Sequence, residues 1–291
     1  MLQAKVTIVG LGLMGGSLAL SMRLAQRVAR RPYPTHITVV DNNPDTREAA
    51  DRLADVVTDD FVEGVKDAEL VILATPVRTV MTLLEKLVEA RPDGCMVLDL
   101  GSTKHDICGA MEALPDGFEA MGGHPMCGKE TAGFSSATPD LYRDKTFVLC
   151  RHARTTERIE NLVLDLLQIV GANPLFLQPN THDEMVAAIS HLPYVVAGSL
   201  MRTAADMDDD RLWTVSASGF RDTSRVSGTD PKMMLDILMT NKTAVLQQLQ
   251  RYQAEITAVT QLLESGDEEK LTAWLAETQN EYFTYRKKKE G

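Results

Sequence analysis

The sequence predicts an α/β fold in which a doubly wound parallel sheet is followed by an all-helical domain. Three observations carry that reading. Residues 6–16 (VTIVGLGLMGG) form a β-branched run that turns straight into a glycine-rich segment and opens a helix. Strand and helix signals then alternate for about 175 residues, the pattern of a parallel sheet with helices on both faces. Beyond Gln178-Pro179-Asn180 nearly everything has helical periodicity. The predicted domains are therefore residues 1–178 and 179–291.

Taken in order, Gly10 permits a tight turn after the first strand, and Gly12 lets the backbone come close to a pyrophosphate. Leu13 and Met14 complete the turn, and Gly15 lets the helix pack against the strand. Free N–H groups there lie at the positive end of the helix dipole. Residues 17–30 continue the helix. A second β run, His36-Ile37-Thr38-Val39-Val40, ends in Asp41. An acid at that tip can accept hydrogen bonds from a ribose diol and would repel a 2′-phosphate. Strand, glycine turn, helix and acid together predict a Rossmann-type dinucleotide site that favours NAD over NADP.

Residues 69–76 (ELVILATP) are almost continuously apolar, as in a strand buried on both faces. Val80, Leu83, Leu84, Leu87 and Val88 then recur at helical spacing. Residues 95–100 (CMVLDL) read as another buried strand, 145–150 (KTFVLC) as a further one and 173–177 as the last. Ile159, Leu162, Val163, Leu166, Leu167 and Val170 mark an amphipathic helix between those last two.

In the helical half, residues 185–207, a stretch within 231–265, and 268–286 are helix candidates. Val245, Leu249, Tyr252, Ile256, Val259 and Leu263 are spaced 4, 3, 4, 3 and 4, a coiled-coil-like seam that needs a partner along its length. Packing within the domain and a homodimer interface through these C-terminal helices would each satisfy it.

Composition narrows the function classes. Lys plus Arg number 30 against 41 Asp plus Glu, a formal charge of -11, which argues against nucleic acid as the main partner. No apolar stretch is expected to approach the roughly 20 residues of a membrane span. The N-terminus, MLQAKVTIVG, is expected to enter the first strand at once, leaving no room for a signal peptide. Cys95, Cys108, Cys127 and Cys150 show neither CxxC nor zinc spacing, so they read as free thiols of a cytoplasmic protein, with no metal site.

Three loops that follow strands of the sheet domain should face the cleft between domains. In Ala74-Thr75-Pro76-Val77, Thr75 and Pro76 can run beneath the cofactor, or Thr75 can cap a helix. In Asp99-Leu100-Gly101-Ser102-Thr103-Lys104, the Ser102 hydroxyl can donate to a substrate oxygen or act as an N-cap. In Gly122-Gly123-His124-Pro125-Met126-Cys127-Gly128-Lys129-Glu130, a histidine sits between two glycines and a proline. Imidazole is the usual group for taking a proton from an alcohol while hydride leaves its carbon. His152 and His182 read as surface residues, and His191 as part of an apolar helix. The segment Gly219-Phe220-Arg221-Asp222-Thr223-Ser224-Arg225-Val226 offers arginines that can hold a carboxylate, or a surface ion-pair loop.

These segments resemble the prephenate/arogenate dehydrogenases of tyrosine biosynthesis. The resemblance lies in GLGLMGGSLA at 10–19, DLGSTK at 99–104, GGHPMCGKETAG at 122–133, ISHLPY at 189–194 and GFRDTSRVSGTDPKMMLDI at 219–237. It implies NAD-dependent oxidative decarboxylation of prephenate to 4-hydroxyphenylpyruvate, or of arogenate to tyrosine. By the same resemblance His124 accepts the proton of the ring hydroxyl, Ser102 positions that imidazole, and Arg225 clamps a substrate carboxylate. Glu130 and Asp222 match acids that gate the site, Asp222 reaching toward a neighbouring subunit, and His191 lines the pocket. Some members of the family carry a histidine directly after SHLP, where this chain has Tyr194. Asn241, a neutral residue expected at the side-chain end of the pocket, leans toward prephenate. A β-hydroxyacid dehydrogenase, with its helical lysine and an asparagine four residues later, fits less well because Lys242 is followed at that spacing by Leu246. A non-catalytic NAD sensor would need none of His124, Ser102 and Arg225.

Overall fold

The computed structural model describes residues 4–29, 36–129 and 131–290. Among these residues eight strands form one sheet: β1 (Lys5–Val9), β2 (His36–Val40), β3 (Val56–Thr58), β4 (Leu70–Leu73), β5 (Met96–Asp99), β6 (Glu119–Pro125), β7 (Thr146–Cys150) and β8 (Asn173–Phe176). Around it lie α1 (Leu13–Ala29), α2 (Pro44–Ala50), α3 (Phe61–Val65), α4 (Val77–Ala90), α5 (His105–Glu112) and α6 (Glu157–Val170). The helical half comprises α7 (Pro179–Val186), α8 (Leu192–Ala205), α9 (Arg211–Val215), α10 (Ser218–Ser224), α11 (Pro231–Thr240), α12 (Lys242–Ser265) and α13 (Glu268–Glu290).

The strand order is β3-β2-β1-β4-β5-β6-β7-β8. β1 to β6 are parallel, whereas β7 runs antiparallel to β6 and carries β8 with it. The sheet is therefore mostly parallel, as the predicted doubly wound fold class has it, with β7 and β8 running against the other strands. Between β6 and β7 the described residues form a 3-10 turn, Phe134–Ser136, but no α-helical crossover, and an antiparallel neighbour needs none. That connection instead folds over the first helix. Tyr142 donates to the Met14 carbonyl at 2.6 Å, and the Thr138 amide donates to Ser17 Oγ at 3.0 Å.

Both faces of the sheet are buried. Along β4, Leu70 and Ile72 join one apolar cluster, while Val71 and Leu73 join the other. The near-continuous apolar run predicted for this strand follows from that two-sided burial. The reversal of strand order between β1 and β4 opens a crevice at their carboxyl ends, the position where such sheets bind ligands.

The sheet shares one compact unit, Met1–Lys242, with α7 to α11, and Thr243–Gly291 forms a second. Hydrogen bonds explain why α7 and α11 belong with the sheet: Asp183 accepts from the amide of Lys104, and Thr240 Oγ1 lies 2.9 Å from Thr103 Oγ1. Residues 185–207, expected to form one helix, lie mostly in a continuous helical stretch, Pro179–Ala205, that contains a π-helical turn. A π-helical turn, Ala187–His191, separates α7 from α8. Pro193 has no N–H to offer the carbonyl one helical turn back, and a wider turn accommodates that loss. The continuous stretch Pro179–Ala205 is long and apolar enough, by length and composition alone, to cross a membrane. That corrects the expectation that no stretch approaches such a length, although its buried side chains include His182, Asp183 and His191. In the second unit Tyr252, Ile256 and Leu263 of the predicted seam are exposed in the single chain.

Candidate active site

The glycines of the turn between β1 and α1 answer two different demands. Gly10 has φ +92°, and a side chain there would strike the Ala74 carbonyl oxygen at 2.8 Å. A Cβ on Gly15 would lie 2.0 Å from the Gly10 carbonyl oxygen. The protein itself thus requires those two glycines. A Cβ on Gly12 would meet nothing within 4 Å, so the open space above it is what a closely approaching pyrophosphate would fill. Leu13 and Met14 begin α1 at this turn. Asp41, at the tip of β2, accepts from the amides of Leu11 (2.6 Å) and Asn43 (2.9 Å), which holds its carboxylate beside the turn.

Thr75 packs its methyl group toward Gly10. Its Oγ1 is buried and has no hydrogen-bond partner among the described residues. The N-cap of α4 is Pro76, with no side-chain cap, so the Thr75 hydroxyl is not spent on that helix. An orphaned buried hydroxyl and an open glycine at one crevice fit a dinucleotide.

The second part of the site lies beyond β5 and β6. Asp99, the last residue of β5, is fully buried and accepts from the amides of Gly101 (2.8 Å) and Gly123 (3.0 Å). The Lys104 ammonium, equally buried, pairs with Asp99 and donates to the Gly123 carbonyl at 2.7 Å. This ion pair fastens β5 to β6 one residue before His124. Ser102 is half-buried in the loop between Asp99 and Lys104. It does not cap α5, whose N-cap is Lys104.

His124 is not in a loop. It is the penultimate residue of β6, paired with Val148 of β7. Its Nδ1 lies 2.8 Å from His182 Nε2, with the two rings edge to face and their centroids 5.0 Å apart. His182 is 1% exposed, which overturns its reading as a surface residue. His182 Nδ1 is 2.7 Å from Asp183 Oδ1. The Asp183 carboxylate also accepts from the amides of Lys104 (2.7 Å) and His105 (2.9 Å), at the amino-terminal end of α5. Burial holds the His124 imidazole well below the usual histidine range, and the neighbouring His182, Lys104 and His191 push the same way. No sequence motif pointed to His182 or Asp183 as members of this cluster, and Asp99 and Lys104, the ends of the DLGSTK motif, were given no role of their own. The usable signal was charge next to apolar runs: an aspartate ending a buried strand, and a His-Asp pair opening an apolar helix.

The remaining predicted residues are more dispersed. His191 is buried, and its Nδ1 lies 3.2 Å from Asn241 Nδ2. Burial pushes it down to about 4, with Asp183 opposing and His182 reinforcing that direction. Asn241 Nδ2 also donates to the Asp183 carbonyl at 2.7 Å. Its amide therefore joins α7, the π-helical turn and the break between α11 and α12. Tyr194 is half-buried in the first turn of α8. The segment read as a loop around Arg225 is helical: Asp222 lies in α10, and Arg225 opens a 3-10 turn, Arg225–Gly228. Asp222 is exposed and pairs with Arg221 Nε at 2.9 Å, so the structure does not bring it into the histidine cluster. Glu130 lies outside the described residues.

Strand order and glycine turn define the class, a doubly wound nucleotide-binding domain joined to helices. A family model described as the prephenate dehydrogenase nucleotide-binding domain matches residues 24–175, and one described as the prephenate dehydrogenase dimerization domain matches 178–277. The prephenate dehydrogenase of Bacillus subtilis (strain 168) is 31% identical over 273 residues, covering 91% of this chain and 72% of that protein. The crystal structure of prephenate dehydrogenase from Aquifex aeolicus in complex with hydroxyphenyl propionate and NAD+ is similar at 29% identity and a TM-score of 0.87, covering 97% of this chain and 98% of that one. Synechocystis arogenate dehydrogenase is similar at 30% identity and a TM-score of 0.79, over 97% and 99% of the two chains. The chain belongs to the prephenate dehydrogenase family.

Proposed function

We propose that the protein catalyses the NAD-dependent oxidative decarboxylation of prephenate to 4-hydroxyphenylpyruvate and CO2. The observation that carries this reading is His124: a half-buried imidazole held below the usual histidine range, at the carboxyl end of the strand beside the one that leads to Ser102. An uncharged imidazole can accept the proton of the ring hydroxyl as that carbon loses hydride. Bound NAD would supply the hydride acceptor. Loss of the ring carboxylate as CO2 then leaves an aromatic product, so the step is effectively irreversible. The protein's task is orientation, one base and carboxylate recognition.

In this reading Gly10, Gly12, Leu13, Met14 and Gly15 receive the pyrophosphate, Asp41 the ribose diol, and Thr75 and Pro76 the underside of the cofactor. Ser102 supports the substrate hydroxyl, Arg225 holds a substrate carboxylate, and Tyr194 and His191 border the substrate. Glu130 and Asp222 gate entry. The two family matches meet close to residue 178, which supports a functional division into a cofactor-binding part, 1–178, and a substrate and dimerisation part, 179–291. A homodimer through the C-terminal helices is supported by the dimerization-domain match and by the exposed apolar side chains of Tyr252, Ile256 and Leu263. Free thiols at all four cysteines suit a reducing cytoplasm.

Similarity to an arogenate dehydrogenase at 30% identity favours a second reading, in which arogenate is the substrate. Initial rates of NADH formation with prephenate and with arogenate, in separate assays, decide between them. Turnover of prephenate in clear preference to arogenate is the expected result, and the reverse preference transfers the proposal to arogenate. Inactivity on both, in protein that binds NAD, contradicts each.

A further inference from the structure

We propose that His182 and Asp183 are positioning residues that set the tautomer of His124, so that its Nε2 carries the lone pair that takes the substrate proton. The inference rests on the reading of His124 as the base and adds how that base is oriented.

The argument is one of donor and acceptor parity along three groups. The Asp183 carboxylate already accepts the amide protons of Lys104 and His105, and a carboxylate can only accept. His182 Nδ1, 2.7 Å away, must therefore be the protonated nitrogen of its ring. In a neutral ring the other nitrogen then bears only a lone pair. His182 Nε2 is 2.8 Å from His124 Nδ1, so the hydrogen of that contact belongs to His124. A neutral His124 protonated at Nδ1 has its lone pair at Nε2, which makes no hydrogen bond among the described residues. With both rings neutral, one tautomer of each satisfies all the contacts, and it is the one a base requires.

The surroundings make the arrangement rigid. Asp183 is fixed by the first turn of α5, where the helix dipole favours a carboxylate, and by the Asn241 bond to its own backbone carbonyl. His182 is 1% exposed, so water does not compete for either nitrogen. When the substrate proton reaches Nε2, His124 becomes an imidazolium whose Nδ1–H already points at an acceptor. The carboxylate at the far end of the chain stabilises the positive charge. Asp183 and His182 touch neither substrate nor cofactor in this scheme.

The test uses two substitutions and one spectroscopic reading. In His182→Leu the acceptor is lost, and kcat should fall at least about 100-fold, within the range proton-transfer catalysis contributes, with NAD affinity and the KM for substrate nearly unchanged. In His182→Gln the amide can donate to Asp183 and accept from His124, so kcat should stay within about tenfold of wild type. In the wild-type protein, ¹⁵N shifts of the histidine rings, with His124→Asn used to assign the signals, should show His124 protonated at Nδ1 and bare at Nε2. A Leu variant with unaltered kcat, a Gln variant as impaired as the Leu variant, or a His124 ring protonated at Nε2 overturns the proposal. The ring spectrum needs no turnover and no stable variant at position 182. It therefore judges the tautomer even if neither prephenate nor arogenate is the substrate.

Discussion

Lys104 and Asp99 form an ion pair with no solvent exposure on either side chain, and Lys104 also holds the Gly123 carbonyl at 2.7 Å. Two charges buried together are costly to separate, because removing one leaves the other unpaired in the interior. Lys104→Met is expected to destabilise the protein by about 3–5 kcal/mol. The double variant Lys104→Met/Asp99→Leu should recover part of that loss, since no lone charge remains. Urea unfolding of the two variants beside wild type checks both statements. A single variant as stable as wild type would show that the pair does not fasten β5 to β6.

The glycine turn separates folding from binding. Gly10→Ala is expected to cost more than about 1 kcal/mol of stability, because its φ of +92° and the nearby Ala74 carbonyl exclude a side chain. Gly12→Ala should change stability by no more than about 0.5 kcal/mol, since open space surrounds it. It should nevertheless weaken NAD binding sharply. Thermal unfolding and NAD titration of the two variants make the contrast, and a Gly12 variant with unchanged NAD affinity would remove the pyrophosphate from that position.

Two histidines give two kinds of pH dependence, one in activity and one in stability. His124 must be neutral to act, and its group lies well below the usual 6.5, so the acid limb of kcat/KM should fall below pH 6.5. An acid limb above that value would contradict a desolvated base. His191 contributes through stability. Its native value of about 4 lies below the ordinary 6.5, so the unfolded chain binds the proton more readily between those two values. Its contribution is complete above pH 6.5 and is lost as pH falls toward 4, by up to roughly 3 kcal/mol. The difference in unfolding free energy between wild type and His191→Gln, followed over that interval, should shrink toward acid.

Arg225→Ala should raise the KM for substrate by about 10- to 100-fold, the usual worth of a hydrogen bond to a charged group, while the KM for NAD changes little. Steady-state kinetics with each ligand varied in turn gives the two values. An equal rise in both would indicate a general disturbance of the 3-10 turn instead of carboxylate recognition.

Much of the sheet was legible because its strands are buried on both faces and read as apolar runs, as in β4 and β5. The glycine turn and Asp41 were legible because each residue type there answers a local geometric demand. β6 was missed as a strand, since Gly122, Gly123 and Pro125 mask it and its pairing with β5 and β7 supplies the order. The reversal of β7 is set by how the chain returns over α1, a tertiary matter with no local signature. His182 and Asp183 sit in the polar segment Asn180-Thr181-His182-Asp183-Glu184, which reads as surface until β6 and α5 close over it. The ties of Asn241 were hidden for the same reason: a polar residue near a helix end carries no local sign that its amide bonds to Asp183 and His191.

The central claim, that His124 is the base of a dehydrogenase, is tested most directly by the turnover of His124→Asn in the presence of NAD and prephenate, measured beside its NAD affinity. Asparagine keeps a polar side chain on β6 but offers no basic nitrogen. The account predicts a loss of kcat of at least about 100-fold with NAD binding close to that of wild type. A variant that turns over prephenate as fast as the wild-type protein would contradict it.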